Sequence, residues 1–270
     1  MHIENNLLVD DPRIQPYVPA PRGWISSIKI RPEMVVIHET ATINLADAFA
    51  SHYFAHVYID DDGKIYQRVP LDRYACHAGI STWGGRNNLN AFSHGIENRK
   101  YGYLFKDWKG RYYRDGRYIG AERVIDRVHR LEKKYRYFEC FTDPQLDSNF
   151  DVVKCLNDHY HYIDIVGHDD VAPKLDPESA FPLKEFKELF YGPETDCDFI
   201  ISRWWQGNDI GAGGVSLKSL PYDWSPSVKW YPAGTVVRKL EWSGRWVRIM
   251  SQEGKVGWTH EAWLRRVINA

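Results

Sequence analysis

Two histidines of this chain stand where a side chain can do chemistry. His38 closes the run Val35-Val-Ile, and His168 follows Ile163-Asp-Ile-Val-Gly167. Each therefore sits at the C-terminal end of a short β-prone segment, where a side chain enters a cleft while its backbone stays fixed. Asp176 comes eight residues after His168, on a loop stiffened by Pro173 and Pro177. Two neutral imidazoles and a carboxylate, with one position left open, are the donor set of a catalytic zinc site. Buried, hydrogen-bonded histidines are the plain alternative that the spacing leaves open.

The other histidines read as packing or surface residues. His52 and His56 lie four apart, but a zinc-peptidase H-E-x-x-H pattern needs glutamate where Tyr53 stands, and His56 opens a strand. His159 and His161 are two apart near a helix end and point away from each other. His2, His129 and His260 carry no local pattern. The four cysteines, Cys76, Cys140, Cys155 and Cys197, form no C-x-x-C pair, so reduced, mostly buried thiols are expected.

These candidates need strands to hold them. Residues 33–39 read as a buried central strand. His56–Asp60 and Lys64–Val69, joined by Asp61-Asp-Gly63, read as a hairpin, and Ser93–Glu97 as another strand. Residues 101–118, rich in aromatics with turns at Gly110 and Gly116, read as a hairpin excursion. Two helices are expected. Over 121–137 apolar residues recur at Val124, Val128, Leu131 and Tyr135; over 144–161 they recur at Leu146, Phe150, Val153, Leu156 and Tyr160. The second opens on Thr142-Asp-Pro-Gln145, a capping box with proline just inside. Strands alternating with helices predict an α/β core with a mixed sheet flanked by helices.

The chain has 270 residues, room for one large domain or two modest ones. From Ile200 to Ala270 ten Lys/Arg stand against five Asp/Glu, a local +5, which leaves −6 on residues 1–199 of a chain of net charge −1. Eight of the eleven tryptophans (204, 205, 224, 230, 242, 246, 258 and 263) fall in that last quarter. A basic, Trp-rich tail behind an acidic body predicts two domains with different work. The expected division is a catalytic domain over 1–192, a Gly/Pro-marked linker over 193–212 and an all-β domain over 213–270. No run approaches the roughly 18–20 apolar residues of a membrane span. The near-zero net charge points to no nucleic-acid partner.

Five segments in one order carry a resemblance. They are Val35-Val-Ile-His38-Glu-Thr, His56-Val-Tyr-Ile-Asp-Asp-Asp-Gly, Cys76-His77-Ala-Gly, Ser93-His-Gly-Ile-Glu97, and Val166-Gly-His168-Asp-Asp-Val-Ala-Pro-Lys174-Leu-Asp176-Pro. Together they resemble the zinc-dependent N-acetylmuramoyl-L-alanine amidases, the group that includes AmpD and the peptidoglycan recognition proteins. The likeness covers about residues 7–190, apart from an insertion at about 99–141. It implies one zinc ion held by the residues matching His38, His168 and Asp176. It also implies Glu97 as general base and acid, and Lys174 as oxyanion stabiliser beside the metal. His77 is a candidate for contacting the muropeptide. Some phage members have tyrosine before the histidine matching His56 and cysteine as third ligand. Here those positions are Ala55 and Asp176, which follows the AmpD-like branch. Glu178 replaces the usual glycine after Asp-Pro, and the Pro173–Asp176 segment is short, so the Lys174 loop is expected to sit differently.

The stretch from Pro232 resembles a bacterial SH3-like domain, which in cell-wall enzymes commonly binds the wall. The resemblance thus implies an enzyme that cleaves the amide between the lactyl group of N-acetylmuramic acid and L-alanine, with peptidoglycan as partner. Met1–Asp11 shows no secretion signal. With a wall-binding tail, that predicts a protein made in the cytoplasm and acting on the wall once released or injected, as a phage or prophage endolysin does. A non-catalytic peptidoglycan-binding module, a zinc carboxypeptidase acting within the stem peptide and a cytoplasmic muropeptide-recycling amidase are the competing expectations.

Overall fold

The chain opens as a hairpin, β1 (His2–Glu4) and β2 (Leu7–Val9), whose two-residue turn places Asn5 and Asn6 at positive φ, a conformation asparagine tolerates. Leu8 donates its amide to Gln67 at 2.8 Å, fixing the hairpin on the main sheet. This computed structural model describes all residues except 22–24, 51–53, 84–85, 130–131, 162–163, 178–179, 192–197, 202–213, 222–224, 234, 244–245, 252, 261–262 and 267–270. His52, Leu131, Glu178, Trp204, Trp205, Trp224 and nearly all of the expected linker therefore lie outside the described residues.

The apolar run at 34–39 forms β3 (Met34–Glu39), buried at every position. Burial on both faces is what a continuous β-branched run allows. β8 (Ser93–Asn98) and β14 (Asp164–Gly167) flank it in parallel. β4 (Val57–Ile59) runs parallel to β8 and turns back into antiparallel β5 (Ile65–Gln67), giving the order β14-β3-β8-β4-β5. The expected Asp-Gly turn joins β4 to β5, with Gly63 at φ +81°. A Cβ there would meet the Pro144 carbonyl oxygen at 2.7 Å, so both backbone conformation and close helix approach require glycine.

That helix is α2 (Asp143–Tyr160). Thr142 caps it by accepting from the Gln145 amide, and Pro144 lies in its first turn, as expected. Its buried stripe is shifted from the expected one: Gln145, Ser148 and Asn149 are buried with Val152, Val153 and Leu156, while Leu146 and Phe150 are half-buried. The cause is the sheet edge beneath. Gln145 donates to the carbonyls of Ile59 and Arg99, Ser148 to that of Gly63, and Asn149 to the Asn98 side chain at 2.6 Å. Strand-end carbonyls out of reach of water need donors, and the helix supplies them.

A short helix, α1 (Leu45–Phe49), is capped by Asn44, and α3 (His168–Val171) and α4 (Leu183–Tyr191) follow β14. The helix expected over 121–137 does not form. Its residues make β12 (Val124–Val128) and β13 (Tyr135–Glu139), an antiparallel pair. Val124, Val128 and Tyr135 suit a helical stripe equally, but Val-Ile-Asp-Arg-Val and Tyr-Arg-Tyr-Phe-Glu are β-prone and pair with each other, and the second also takes a neighbouring edge. That edge belongs to β9 (Tyr103–Lys106), joined by β10 (Tyr112–Arg114) and β11 (Arg117–Ile119) in the order β11-β10-β9-β13-β12. The insertion is thus one five-stranded antiparallel sheet.

The chain divides into two compact units, Met1–Ser81 with Asn88–Phe186, and Thr82–Asn87 with Lys187–Ala270. The second holds the small pair β6 (Thr82–Trp83) and β7 (Arg86–Asn87). Its main sheet has seven antiparallel strands. They are β15 (Asp198–Ile201), β16 (Gly214–Lys218), β17 (Ser227–Pro232), β18 (Val236–Ser243), β19 (Trp246–Ser251), β20 (Val256–His260) and β21 (Leu264–Arg266), in the order β17-β16-β20-β19-β18-β15-β21. β15 lies inside the stretch expected to be linker, and it pairs with β18 and β21. The core of this unit is Ile201, Val215, Leu217, Tyr231, Val237, Val247, Ile249 and Leu264, with Trp263 against it, whereas Trp230 is exposed. No helix among the described residues is long and apolar enough to cross a membrane.

Candidate active site

Strand register decides which side chains meet. Laterally paired residues of adjacent strands share a face. His38 pairs with Glu97, and Glu97 with Tyr58, so these three stand in a row across β3, β8 and β4. On the other side Gly167 pairs with Ile37 and ends β14, which brings His168 beside His38 as the first residue of α3. Gly167 has no room for a side chain: a Cβ would lie 2.6 Å from Asp169 Oδ1 and 2.8 Å from Pro177 Cδ. The Asp170 carboxylate accepts from the Gly167 amide at 2.9 Å, capping the turn. The Asp169 amide donates to the Asp176 carbonyl at 2.7 Å, folding the loop back so that Asp176 faces both histidines.

Asp176 Oδ2 lies 3.2 Å from His38 Nδ1 and 2.9 Å from His168 Nδ1, and the rings of His38 and His168 are 4.3 Å apart. One ligand atom from each of the three falls within 4.8 Å of the others. The remaining ring nitrogens are engaged behind: His168 Nε2 donates to the Ala78 carbonyl at 3.3 Å, and His38 Nε2 lies 3.0 Å from His77 Nδ1. With Nε2 of His168 donating, its Nδ1 meets a carboxylate oxygen lone pair to lone pair. A cation between them resolves that conflict, and partners behind the ring are how metal-bound histidines are commonly held. Charge state agrees. Burial, reinforced by the neighbouring His168, lowers His38 to about 4, so it is neutral at pH 7. Burial pushes Asp176 up, but the ring nitrogens of His168 and His38 against its oxygens overcome it and hold the carboxyl well below the usual range. The residues fit a metal ion.

Glu97 is half-buried, and its Oε2 has no hydrogen-bond partner among the described residues. Burial, and then the charge of Asp176, raises its pKa well above the ordinary carboxylate value. A carboxyl that changes protonation nearer neutral pH suits proton transfer. Lys174 is exposed on the α3–Pro177 loop, its amide bonded to the Ala172 carbonyl, and its charge helps lower His38. Its ammonium has no hydrogen bond or ion pair among the described residues.

His77 sits behind the His38–His168–Asp176 cluster. It is 7% exposed, its amide donates to Asn90 Oδ1 at 3.0 Å, and burial with the surrounding histidines keeps its ring neutral. Gly95 makes the space for it, since a Cβ there would come within 2.5 Å of His77 Cγ. His77 therefore reaches the site through His38. His56 is structural: Nε2 donates to the Arg73 carbonyl at 2.8 Å, and Nδ1 accepts from the Gly95 amide. Sequence reasoning missed His129. It is buried at the end of β12 in the insertion, and Nε2 donates to the Leu175 carbonyl at 3.1 Å, next to Asp176. No local pattern marks a residue that acts across 46 positions.

The fold and the cluster define an α/β protein with a two-histidine, one-carboxylate group that could hold a metal ion. Within that class the chain belongs to the N-acetylmuramoyl-L-alanine amidase family Amidase_2, whose model matches residues 29–179. It is 31% identical over 137 residues to the 1,6-anhydro-N-acetylmuramyl-L-alanine amidase AmpD of Escherichia coli strain K12, covering 50% of this chain and 57% of that protein. The AmpD of Enterobacter cloacae is 28% identical over 219 residues, covering 70% of this chain and 95% of the relative. The chain thus spans little more than half of the first of these relatives and nearly all of the second. Among solved structures, a selenomethionine AmpD crystal structure aligns with TM-score 0.46 and 24% identity, over 70% of this chain and 99% of its own. The Escherichia coli amidase AmiD, in complex with anhydro-N-acetylmuramic acid-L-Ala-D-γ-Glu-L-Lys, aligns with TM-score 0.45 and 26% identity, over 60% of this chain and 58% of its own.

Proposed function

We propose that this protein hydrolyses the amide between the lactyl group of N-acetylmuramic acid and L-alanine in peptidoglycan, with one zinc ion held by His38, His168 and Asp176. The observation that carries the reading is the convergence of those three donors beside a carboxyl whose proton affinity is raised. Zinc at such a site acidifies water and polarises a carbonyl oxygen. Glu97 takes a proton from the attacking water and returns it to the departing alanine nitrogen, a role worth about 10²–10⁴-fold. Lys174 reaches over the cleft and meets the negative charge that develops on the carbonyl oxygen. His77 keeps the His38 ring oriented.

The reading extends to a wall-directed, endolysin-type enzyme in which the basic C-terminal unit acts as an SH3-like wall-binding domain. The exposed Trp230 on its sheet supports this, because an aromatic face stacks on sugar rings. A cytoplasmic recycling enzyme shares the chemistry and is favoured by the likeness to AmpD, but the recycling of small muropeptides needs no such tail. Digestion of purified sacculi followed by mass spectrometry tests both readings. The expected products are free stem peptides with an L-alanine N-terminus and intact glycan. Zinc should bind at about one equivalent, and His168→Ala should lose it. Cleavage within the stem peptide, or His38, His168 and Asp176 failing to share one metal ion, ends the proposal. Cleavage of small anhydromuropeptides with intact sacculi untouched assigns the chain to recycling.

A further inference from the structure

Between Arg99 and Phe141 the chain carries thirteen Lys/Arg against six Asp/Glu, a local +7 that leaves −8 on the rest. Eleven of those 43 residues are aromatic. The two faces of the insertion sheet use them differently. One face packs inward, where Leu104 and Ile119, with Tyr101, form a small core joined by Tyr112, Val124 and Tyr137. The opposite face of an antiparallel sheet is normally polar. Here it bears a row of rings. Tyr103 and Phe105 are i, i+2 on β9, Phe105 pairs with Tyr113 on β10, and Tyr113 pairs with Tyr118 on β11. Successive ring centres are 5.5, 5.8 and 5.9 Å apart. Phe105 is 47% and Tyr118 58% exposed.

Cations accompany the row. The Arg114 guanidinium lies over Tyr103 at 4.6 Å and that of Arg111 over Tyr118 at 4.2 Å, which fixes the rings at both ends. Arg111 also pairs with Asp107 and Arg114 with Asp115, while Lys109, in the turn between β9 and β10, has no ion pair among the described residues. Behind the row, buried contacts run toward the candidate site. Tyr103 pairs with Phe138, whose ring lies 6.4 Å from His129, and His129 holds the Leu175 carbonyl of the metal-site loop. Phe138 is buried, Tyr103 and Tyr113 are half-buried, and Phe105 and Tyr118 are exposed.

We infer that this face binds the glycan strand of peptidoglycan, sugar rings lying on the aromatic row and stem-peptide carboxylates meeting the flanking cations. The inference rests on the amidase reading for the identity of the polymer. Charge complementarity and the buried contacts running from behind the row toward the candidate site are what select this occupant. Rings with cations also suit single-stranded nucleic acid, and cations alone suit phosphate-rich wall polymers. The connection to the site favours the polymer that the site itself must hold.

The test uses the full chain, wild type against Phe105→Ala/Tyr118→Ala, with Phe105→Trp/Tyr118→Trp as the ring-preserving variant. Binding is measured by pelleting with sacculi stripped of phosphate polymers by hydrofluoric acid. In parallel, hydrolysis of a small soluble muramoyl tripeptide is followed. The alanine pair, with two stacking rings lost, should weaken pelleting by about tenfold. The tryptophan pair should keep it, and all three proteins should cleave the soluble substrate equally. Unchanged pelleting of the alanine pair overturns the inference, as does loss of pelleting in the tryptophan pair. Wild-type binding to a single-stranded oligonucleotide or to purified polyol-phosphate polymer more tightly than to stripped sacculi also overturns it. Failure of the wild type to cleave the tripeptide would instead strike the amidase reading, because ring-dependent pelleting is read without catalysis.

Discussion

Burial and the nearby charge of Asp176 keep a proton on Glu97 at pH values where an ordinary carboxylate has lost it. Two consequences follow from one shift. In catalysis the base form is needed, so activity should fall on the acid side at a pH above the usual carboxylate range, and Glu97→Gln should cost about 10²-fold or more in turnover with metal retained. In stability the sign is opposite to that of a salt-bridged carboxylate. Between the unfolded value near 4.5 and the raised folded one, the native state binds the extra proton, so stability falls as pH rises through that window. Metal-free Glu97→Gln should therefore melt with the wild type at pH 4 and above it at pH 8. A lower melting temperature at pH 8 would show that the carboxylate form is the one the fold favours. His77 acts differently, through the Nε2 of His38. Removing such a partner typically weakens metal binding by 10–100-fold. His77→Ala should show that loss in a chelator competition, and unchanged zinc affinity would mean that the ring orientation of His38 is fixed by β3 alone.

At the scale of elements, strand ends were legible in the sequence because burial on both faces leaves a continuous apolar run, as at Met34–Ile37, and the reactive histidine simply follows it. The insertion was not. Val124, Val128 and Tyr135 satisfy a helical stripe, and what makes them strands is the pairing of β12 with β13 and of β13 with β9, whose partners lie 33 and 35 positions earlier. The buried face of α2 was half legible for a related reason: an apolar pattern cannot show that Gln145 and Ser148 are drawn inward by backbone carbonyls, and Asn149 by the Asn98 side chain, from distant parts of the sequence. A third long-range device roots the insertion. Glu139, its side chain fully buried, accepts from Arg99 at 2.9 Å and from Arg123, while Asp61 in the β4–β5 turn takes Arg99 at 2.6 Å and Lys100 at 3.1 Å. Removing one member of a buried ion network costs about 3–5 kcal/mol, and the exposure of Arg123 places Glu139→Ala near the lower end. Chemical denaturation should read a loss of about 3 kcal/mol. A loss under about 1 kcal/mol would mean that the arginines resolvate freely.

Across the whole molecule charge is divided by sequence region. The catalytic sheet and its helices are acidic, while the insertion and the C-terminal unit are basic. An acidic body around a metal site suits the cation, and two basic regions suit an anionic polymer, so attachment and chemistry are separable in principle. The boundary between them matters for the experiment. β15 pairs with β18 and β21, so a cut within 192–197 removes the second sheet intact, whereas one after Ile201 would strand a β-strand. A chain ending at Gly192 keeps His38, Glu97, His168, Lys174 and Asp176 and should hydrolyse small soluble muropeptides at the full-length rate. Its binding to sacculi should drop, and the gap between the two proteins should narrow at high salt, since exposed charges are screened beyond roughly 8 Å even at physiological ionic strength. The binding that survives truncation should itself depend on Phe105 and Tyr118. Equal pelleting of the two chains would remove the targeting role from the C-terminal unit. Loss of soluble-substrate activity would place Lys187–Ala270 among the parts on which the catalytic reaction depends.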